Sequence, residues 1–344
     1  MITLARLHQL AEHENIIGIG ALQARVFNEL EPILRKRHQE NRATTFEEAN
    51  IQKRINPFLL MPSVKSIVVT ATSYHLPEED AEFPRPRYAG ELAKFARGLD
   101  YHQILHRQLR ALAQRLQSQI PDLTWQAYVD TGPLVDRYLA AQAGLGFYGR
   151  NNCLIMPLYG SCVVCGYLLL NHTVEKSVEK PVPLKSCEGC GRCQAACPVQ
   201  ALQHPYQIQP ERCLSHLLQR KESVPDEFRH AAGLMLYGCD VCQKVCPHNQ
   251  SLPASREPAM QVTANERWID LEHLLSLSNR QFNRLYRSHA FGWRGQKILQ
   301  RNALMALGNT PDPEVVSLVK PFEDHPRIEL REMADWAMKQ HQRR

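Results

Sequence analysis

Eight cysteines between residues 187 and 246 are the part of this sequence whose spacing predicts chemistry most directly. CEGCGRCQAACP, residues 187–198, has the spacing C-x2-C-x2-C-x3-C-P, and CDVCQKVCP, residues 239–247, has the spacing C-x2-C-x3-C-P. The two stretches share a C-x2-C-Q-x2-C-P core and therefore form an internal repeat, which predicts two similar sites. Cysteines crowded at gaps of two and three residues indicate metal ligation rather than disulfide bonds.

The spacing favours iron–sulfur clusters. Three cysteines at gaps of two, followed by a fourth at a gap of three and a proline, are the bacterial ferredoxin arrangement, in which the fourth cysteine ligates the other cluster. By this logic the first [4Fe-4S] cluster has the ligands Cys187, Cys190, Cys193 and Cys246. The second motif lacks its opening cysteine, so the remaining cysteine of the segment is assigned in its place, and the second cluster has the ligands Cys197, Cys213, Cys239 and Cys242. Two tetrahedral zinc sites, or free thiols, are the alternatives.

Three further cysteines, Cys153, Cys162 and Cys165, lie in a stretch that is predicted to form a β-hairpin. Cys162 and Cys165 have the C-x2-C spacing, but in an extended strand side chains at this spacing point to opposite faces. We therefore interpret this pair as core residues rather than as metal ligands.

Length and composition indicate a chain of several packed units. Its 344 residues exceed the usual single-domain size, so two or three units with their own cores are expected. No run of about eighteen apolar residues occurs, and the N-terminal MITLARLHQLAEHEN has the pattern of an amphipathic helix rather than of an export signal. We expect a cytoplasmic protein without a membrane partner. The net charge of +6 is compatible with binding a polyanion but does not demonstrate it.

The pattern of apolar residues predicts an α+β fold. Residues 1 to about 60 are predicted to be helical, residues 64–74 to form a buried strand, and residues 100–120 to form an amphipathic helix. LTWQAYVDTGP is predicted to be a strand that ends at a turn, and CLIMPLYGSCVVCGYLLLN to be a hairpin around residues 158–160.

Three units follow from this pattern. A mixed α/β domain is expected over residues 1–180, and a two-cluster, ferredoxin-like domain over residues 181–250, which EKPVPLKS joins to the first domain as a linker. Residues 251–344 are expected to form a helical domain, because from residue 265 apolar stripes alternate with short breaks, as in stacked antiparallel helix pairs.

A second candidate site lies in the first unit, in AYVDTGPLVDRYLAAQAGLGFYGRNNCLI, residues 127–155. Asp130 follows an apolar strand, where partial desolvation is expected to raise the pKa of its carboxyl group enough for it to donate a proton. Helix capping is the alternative role. Asp136 is expected in the first turn of a helix opened by Pro133, where the helix dipole and Arg137 explain it without catalysis.

These motifs together resemble one family. VDTGPLVDR, AGLGFYGRN with the following CLI, CEGCGRCQAACP, ERCLSHLL and YGCDVCQKVCP stand in the order found in epoxyqueuosine reductases, the iron–sulfur and cobalamin enzymes of tRNA queuosine biosynthesis. GELAKFARGLDYH belongs to the same resemblance, which runs from about residue 50 to residue 250. The helical tail resembles the HEAT-like repeats of longer family members.

The resemblance implies a reaction and its cofactors. The epoxide of epoxyqueuosine at the wobble position of tRNA would lose its oxygen, with two electrons and two protons consumed and water released. Asp130 would be the proton donor, and electrons from a reduced flavodoxin or ferredoxin would pass through two [4Fe-4S] clusters to cobalamin. The residues implied as cobalamin contacts are Arg54, Asp130, Asn151, Leu154, Ile155, Cys165, Leu168 and His216.

The expected cobalamin is base-off, without a protein histidine beneath cobalt. The D-x-H-x-x-G motif of cobalamins bound through a protein histidine is absent, and DYHQIL, which lacks the glycine, is better interpreted as the start of a helix.

The expected partner is tRNA, bound by a chain that we expect to be a monomer. Arg220 and Lys221 are the candidates for contact with the anticodon loop because they lie near the predicted cofactor pocket. The basic stretch at residues 279–302, with Arg280, Arg284, Arg287, Arg294, Lys297 and Arg301, is either a phosphate-binding surface or a solvated helix face.

Two other functions compete with tRNA epoxide reduction. A cobalamin-dependent reductive dehalogenase would share both kinds of cofactor, but it would usually carry a twin-arginine export signal. An electron carrier, or a nucleic-acid-binding protein with structural clusters, would leave the first 180 residues unexplained.

Overall fold

A computed structural model describes residues 1–76, 85–175, 187, 189–261 and 267–343. The predicted linker EKPVPLKS lies outside these residues. Helices and strands are mixed along the first half of the chain, which confirms the α+β prediction. In chain order they are α1 (Leu4–Glu12), β1 (Gly18–Gln23), α2 (Glu31–Gln39), α3 (Ile51–Ile55), β2 (Ser66–Ser73), β3 (Ala89–Leu92), α4 (Tyr101–Gln117), β4 (Trp125–Val129), α5 (Asp136–Gln142), β5 (Phe147–Tyr148), β6 (Leu154–Ile155) and β7 (Val163–Leu170).

Four of these strands form an antiparallel sheet in the order β1-β2-β7-β4. β2 is buried along its whole length, as its β-branched sequence predicts. Val68 belongs to the core that includes α4, whereas Ile67 and Val69 belong to the core that includes α5, because successive strand residues face opposite sides. Cys162 and Cys165 also fall in different cores, which confirms that they point to opposite faces.

Two predictions for this half are wrong in detail. The expected helical stretch at residues 1–60 contains β1, since GIGALQ pairs with β2 and obtains its backbone hydrogen bonds from that neighbour. The turn that was predicted around residues 158–160 is present, with a β-bridge between Met156 and Gly160 and a positive φ of 67° at Leu158. Its arms, however, do not pair as a hairpin: β6 pairs with β5, and β7 lies between β2 and β4.

The second half of the chain is mostly helical. Its elements are α6 (Arg192–Ala196), α7 (Leu214–Leu217), α8 (Asp226–Ala232), β8 (Met235–Tyr237), α9 (Val241–Lys244), α10 (Pro258–Gln261), β9 (Trp268–Asp270), α11 (Leu271–Ser276), α12 (Asn279–Tyr286), α13 (Gln296–Asn309), α14 (Val315–Val319) and α15 (Ile328–Gln342). β9 corrects the expectation that residues 265–344 are all helical, because Ala89–Glu91 of β3 pairs with it.

A second sheet, in the order β8-β3-β9, takes one strand from each of the three predicted units. β3 pairs in parallel with β8 and antiparallel with β9. One apolar core likewise contains Leu109 of α4, Leu217 of α7 and Leu304 of α13. The front sheet, the cysteine segment and the helical tail are therefore packed against one another through shared apolar contacts.

The tail is organised around α13, which packs against α11, α14 and α15. Arg301 of α13 is fully buried, and this excludes it from both alternatives for the basic stretch, a phosphate-binding surface and a solvated helix face. Its guanidinium donates to the carbonyl oxygens of Leu217 at 3.2 Å and Arg220 at 3.0 Å, so it anchors the segment after α7. Within the described ranges, no helix is long and apolar enough to cross a membrane.

Candidate active site

A cavity of about 550 Å³ lies where the front sheet meets the cysteine segment. Loops and strand ends supply most of its walls: Asp130 follows β4, Asn151 lies between β5 and β6, and Cys165 lies near the start of β7. Six of the eight predicted cobalamin contacts line this cavity. They are Arg54, Asp130, Asn151, Leu154, Cys165 and His216.

The other two predicted cobalamin contacts lie elsewhere. Leu168 is fully buried in the middle of β7, where it pairs with Val68 and Ala127, so its side chain does not reach the cavity. Ile155 lines a smaller neighbouring cavity of about 110 Å³.

Different cysteines line the two cavities. The smaller cavity is lined by Cys187, Cys190, Cys193 and Cys246, the four residues assigned to the first cluster. The larger cavity is lined by Cys213, Cys239 and Cys242 of the second set. The fourth member, Cys197, accepts a hydrogen bond from the backbone N–H of Ala201 at 3.2 Å, and it is close enough to Cys213 to raise the pKa of that thiol.

Burial raises the pKa of two thiols of the second set. It raises the pKa of Cys213 to about 11 and that of Cys239 to about 12. A cationic centre would have to displace the protons of these thiols, since the thiolate is the ligand form.

Cys153 is a site residue that its spacing did not single out. Its side chain hydrogen-bonds with that of Cys242 and lines the large cavity. The tertiary fold alone brings these two thiols together, because they lie on different segments of the chain. A fifth thiol therefore lies beside the predicted second cluster.

Asp130 is held by two neighbouring residues of α4. Its Oδ2 accepts a hydrogen bond from the Tyr101 hydroxyl at 2.5 Å, and its Oδ1 lies 2.8 Å from Nε2 of His102. Nδ1 of His102 lies 2.5 Å from Oδ1 of Asp100, which also caps α4 by accepting from the backbone N–H of His102. An Asp100–His102–Asp130 chain therefore ends at the cavity, and DYHQIL is the start of a helix, as predicted.

This arrangement corrects the expected pKa shift of Asp130. Burial by itself would raise the pKa of the carboxyl group, but hydrogen bonds from His102 and Tyr101 lower it below its usual value. At His102, burial opposes the charged form, yet the hydrogen bonds to Asp100 and Asp130 raise the pKa to about 9. Near neutral pH the shared proton therefore lies on His102, and Asp130 is a carboxylate.

Arginine side chains also line the cavity. Glu47 pairs with Arg37 at 2.6 Å and also with Arg54. Arg137 donates to the carbonyl oxygen of Asn152 at 2.6 Å, which fixes the loop that carries Asn151. Asp136, one residue earlier, is in the first turn of α5, as predicted, although this helix begins three residues after Pro133. The charges of Arg37, Arg54 and Arg137 were not recognisable from the sequence as one cluster, because three separate elements supply them.

One buried donor that lines the cavity, Nε of Arg54, has no hydrogen-bond partner among the described residues. The side-chain amide of Asn151 also lines the cavity and hydrogen-bonds with the thiol of Cys242. An unsatisfied buried donor is costly, so Nε of Arg54 points to a ligand that accepts hydrogen bonds. The cavity thus combines apolar side chains, one free donor and the carboxylate of Asp130, which His102 contacts from behind, with thiols that can ligate metal.

The candidate RNA contacts differ in their accessibility. Lys221 is exposed. Arg220 is largely buried and pairs with Glu211, so its charge is already neutralised. Among the basic residues of the tail, Arg280, Arg284, Arg287 and Lys297 are exposed.

Two family models match this chain: residues 54–131 match "Epoxyqueuosine reductase QueG, DUF1730", and residues 186–249 match a "4Fe-4S double cluster binding domain". The epoxyqueuosine reductase of Bacillus cereus is 36% identical over 322 residues, which cover 93% of this chain and 84% of that protein. That of Bacillus subtilis is 36% identical over 336 residues, covering 96% and 86%. The chain belongs to the epoxyqueuosine reductase family.

Solved epoxyqueuosine reductase structures share the fold. A selenomethionine-labelled epoxyqueuosine reductase superposes with a TM-score of 0.91 at 34% identity, covering 98% of this chain and 90% of that one. The enzyme from Streptococcus thermophilus superposes with a TM-score of 0.90 at 31% identity, covering 99% and 90%. An epoxyqueuosine reductase solved with an epoxyqueuosine-modified tRNA-Tyr stem loop superposes with a TM-score of 0.91 at 34% identity, covering 98% and 89%.

The two matched segments contain the chemical groups described above. Residues 54–131, matched to the epoxyqueuosine reductase model, include the Asp100–His102–Asp130 chain, and residues 186–249 include all eight predicted cluster cysteines. The match to a double-cluster domain decides between iron–sulfur clusters and zinc in favour of the clusters.

Proposed function

We propose that this chain reduces epoxyqueuosine to queuosine at the wobble position of tRNA. Family membership supports the reaction. The observation that supports this reaction at the level of residues is that Asp130 lines the same cavity, of about 550 Å³, as Cys213, Cys239 and Cys242. A carboxylate that relays a proton from His102 and an electron-transfer centre would then serve the same bound molecule.

The ligands that we propose for the two [4Fe-4S] clusters are those that the spacing predicts. Cys187, Cys190, Cys193 and Cys246 would hold the first cluster, and their grouping around one small cavity supports this assignment. Cys197, Cys213, Cys239 and Cys242 would hold the second. Because three of these line the large cavity, the second cluster would be the one that delivers electrons to it.

Cobalamin is the group that we propose for the large cavity, bound base-off. The unpaired Nε of Arg54, together with Asn151 on the same wall, fits a large ligand rich in amide oxygens. The side chains of Leu154 and Cys165 would make apolar contacts with the cofactor, and His216 would contact its edge. Ile155 would contact it through backbone atoms of β6. When bound, this group would supply a strongly reducing cobalt centre for opening the epoxide.

The protein's own residues would handle the proton. His102 holds it between two carboxylates, and Tyr101 orients Asp130 from the other side. Asp130 would take this proton from His102 and pass it to the epoxide oxygen, and the second proton of the water that leaves would come from solvent. The epoxide takes up two electrons and two protons in all, which yields queuosine and water.

The proposed partners are tRNA and a reduced flavodoxin or ferredoxin. Lys221 lies two residues after Gln219, which lines the cavity, and would contact phosphate near the anticodon loop; Arg220 would support that segment. We further propose a cytoplasmic monomer with the domain limits 1–180, 181–250 and 251–344 and a HEAT-like tail. A reductive dehalogenase is not favoured, because the curated relatives with substantial identity are epoxyqueuosine reductases.

One experiment tests the proposed function. The protein, reconstituted anaerobically with iron, sulfide and cobalamin, is incubated with a chemical reductant and an anticodon stem-loop RNA that carries epoxyqueuosine. Nucleoside mass spectrometry should show loss of one oxygen from the modified base. A fully loaded protein that leaves the epoxide intact would refute the function, and one that takes up clusters but no cobalamin would refute the cofactor assignment.

A further inference from the structure

Two aromatic side chains lie exposed at the rim of the large cavity. Phe46 lines the cavity and is 40% exposed, and Trp293 is 54% exposed. Their ring centroids are 6.0 Å apart in an edge-to-face arrangement. Phe46 also contacts the ring of His216, at 5.4 Å, so aromatic rings run continuously from the cavity wall to the outer surface.

Contacts below the surface hold both rings in place. The indole N–H of Trp293 donates to the hydroxyl of the buried Tyr237 at 3.0 Å, and that hydroxyl donates to Gln219 at 2.8 Å. The residue after Phe46 is Glu47, which the ion pair with Arg37 fixes to the cavity wall. Large apolar rings that are oriented by buried partners and yet half exposed are unusual on a solvated surface and indicate a binding surface.

Arg294 adds a positive charge to this pair. Its guanidinium carbon lies 4.5 Å from the ring centroid of Trp293 and 5.3 Å from that of Phe46. Its buried Nε has no hydrogen-bond partner, and no carboxylate in the described part of the chain forms an ion pair with it. The surrounding segment, residues 279–302, contains no acidic residue.

We propose that Phe46, Trp293 and Arg294 form a stacking site for an unpaired nucleotide of the bound RNA loop, next to the nucleotide that enters the cavity. This inference rests on the proposed function and specifies how the RNA is held. Single-stranded nucleotides are bound through aromatic faces and guanidinium planes, with positive charge placed near the phosphates. The lack of acidic residues and the exposed arginines of α12 favour RNA over a protein partner at this surface.

The site explains how a nucleotide could enter a deep cavity. A wobble nucleotide must leave the base stack of its loop to reach Asp130, and this costs the stacking energy with its neighbours. A protein ring at the rim can replace one lost stacking contact, since every base has a π face. Trp293 and Phe46 are therefore expected to improve binding without reading the base sequence.

Binding of a fluorophore-labelled anticodon stem-loop RNA, measured over a range of salt concentrations, tests the proposal. Trp293→Ala should weaken binding about tenfold with an unchanged salt slope, because stacking releases no counterions. Arg294→Gln should reduce the salt slope by about one. Trp293→Phe should bind the RNA within about twofold of the wild type, because a phenyl ring can still stack on a base. It should lose the part of the RNA-induced quenching of intrinsic fluorescence that Trp293 contributes. Trp125→Ala is the matched control, since Trp125 is the first residue of β4 and Asp130 follows the last.

The outcomes separate this inference from the proposed function. If the wild type reduces the epoxide and Trp293→Ala binds the RNA as tightly as the wild type, the stacking site is wrong and the function stands. If Trp125→Ala weakens binding as much as Trp293→Ala, the effect is not local and the site is also wrong. If the loaded wild type neither binds the RNA nor reduces the epoxide, the proposed function itself fails.

Discussion

Nε2 of His102 lies 2.8 Å from Oδ1 of Asp130, and this contact determines where the proton of the site is held. An aspartate at the end of an apolar strand would be a proton donor by virtue of desolvation alone. With an imidazolium and a tyrosine hydroxyl bound to it, the pKa of Asp130 is lowered instead. His102 and Asp130 therefore act together as the acid of this site, and His102 is the residue that holds the proton.

Replacement of Asp130 by asparagine should remove turnover while leaving binding intact. Asparagine preserves the shape of the side chain but cannot carry a proton to the substrate, and general acid catalysis contributes at least about 100-fold. Single-turnover reduction of epoxyqueuosine in the stem-loop RNA measures the loss, with cobalamin absorbance and RNA affinity as controls. Turnover near the wild-type rate would reassign the proton to water or to another side chain.

His102→Gln should slow turnover by about 10- to 100-fold, because the glutamine amide can hydrogen-bond with Asp130 but cannot resupply its proton. The wild-type rate should fall as the pH rises through about 9, the pKa of His102, and the variant should lack this alkaline limb. Tyr101, Asp100 and Asp130 contact the imidazole of His102. The charge of Arg137 also acts on Asp130, whereas the pKa of the nearby His106 is lowered by burial, so His106 adds no charge in this pH range. A variant with the same rate and the same pH profile as the wild type would remove His102 from the proton path.

The same histidine should make stability depend on pH. Its pKa in the folded protein, about 9, lies above the ordinary value of 6.5, so its stabilising contribution is fully present below about pH 6.5. It is lost as the pH rises through about 9. The difference in free energy of unfolding between the wild type and His102→Gln should therefore shrink from pH 6 to pH 10, as urea denaturation at each pH would show. A difference that grows with pH would contradict the assignment.

Cys213→Ser should abolish one of the two clusters and leave about half of the iron and acid-labile sulfide. Cys153→Ser is the matched control, since this thiol lies beside Cys242 but is not among the assigned ligands. It should retain the full iron content. Full iron content in Cys213→Ser would show that Cys213 is not a cluster ligand. Half the iron content in Cys153→Ser would show that Cys153 is one.

Arg301→Leu should lower the free energy of unfolding by about 3 kcal/mol or more. Burial lowers the pKa of this guanidinium to about 10, and it still donates to several backbone carbonyl oxygens, which its loss would leave unsatisfied in the interior. Arg284→Leu, on the exposed face of α12, should change stability by no more than about 0.5 kcal/mol. Similar effects of the two substitutions in urea denaturation would contradict a structural role for Arg301.

Lys221→Ala should weaken RNA binding uniformly across stem-loop sequences and flatten the salt dependence by about one, as expected for a phosphate contact. Arg220→Ala should flatten it less, because Glu211 already pairs with that charge. Iron content should stay unchanged in both variants. An unchanged salt slope in Lys221→Ala would remove this residue from the interface.

Local signals in the sequence were enough for several parts of this protein. The gaps between the cysteines predicted two iron–sulfur clusters, because closely spaced thiols on a short loop can bind one centre, and the match to a double-cluster domain supports this. The start of α4 at Asp100 and the buried strand β2 were also predicted, since a capping side chain and a run of β-branched residues act through their immediate neighbours.

Features that depend on contacts between residues distant in sequence were determined only by the tertiary structure. β1 is a strand because β2 offers it backbone hydrogen bonds, and Cys153 lies beside Cys242 because the front sheet packs against the cysteine segment. Arg301 has the spacing of a surface arginine but is buried, because the carbonyl oxygens after α7 meet it there. The direction of the pKa shift at Asp130 could not be obtained from its own strand, since it depends on the charge of a neighbouring helix.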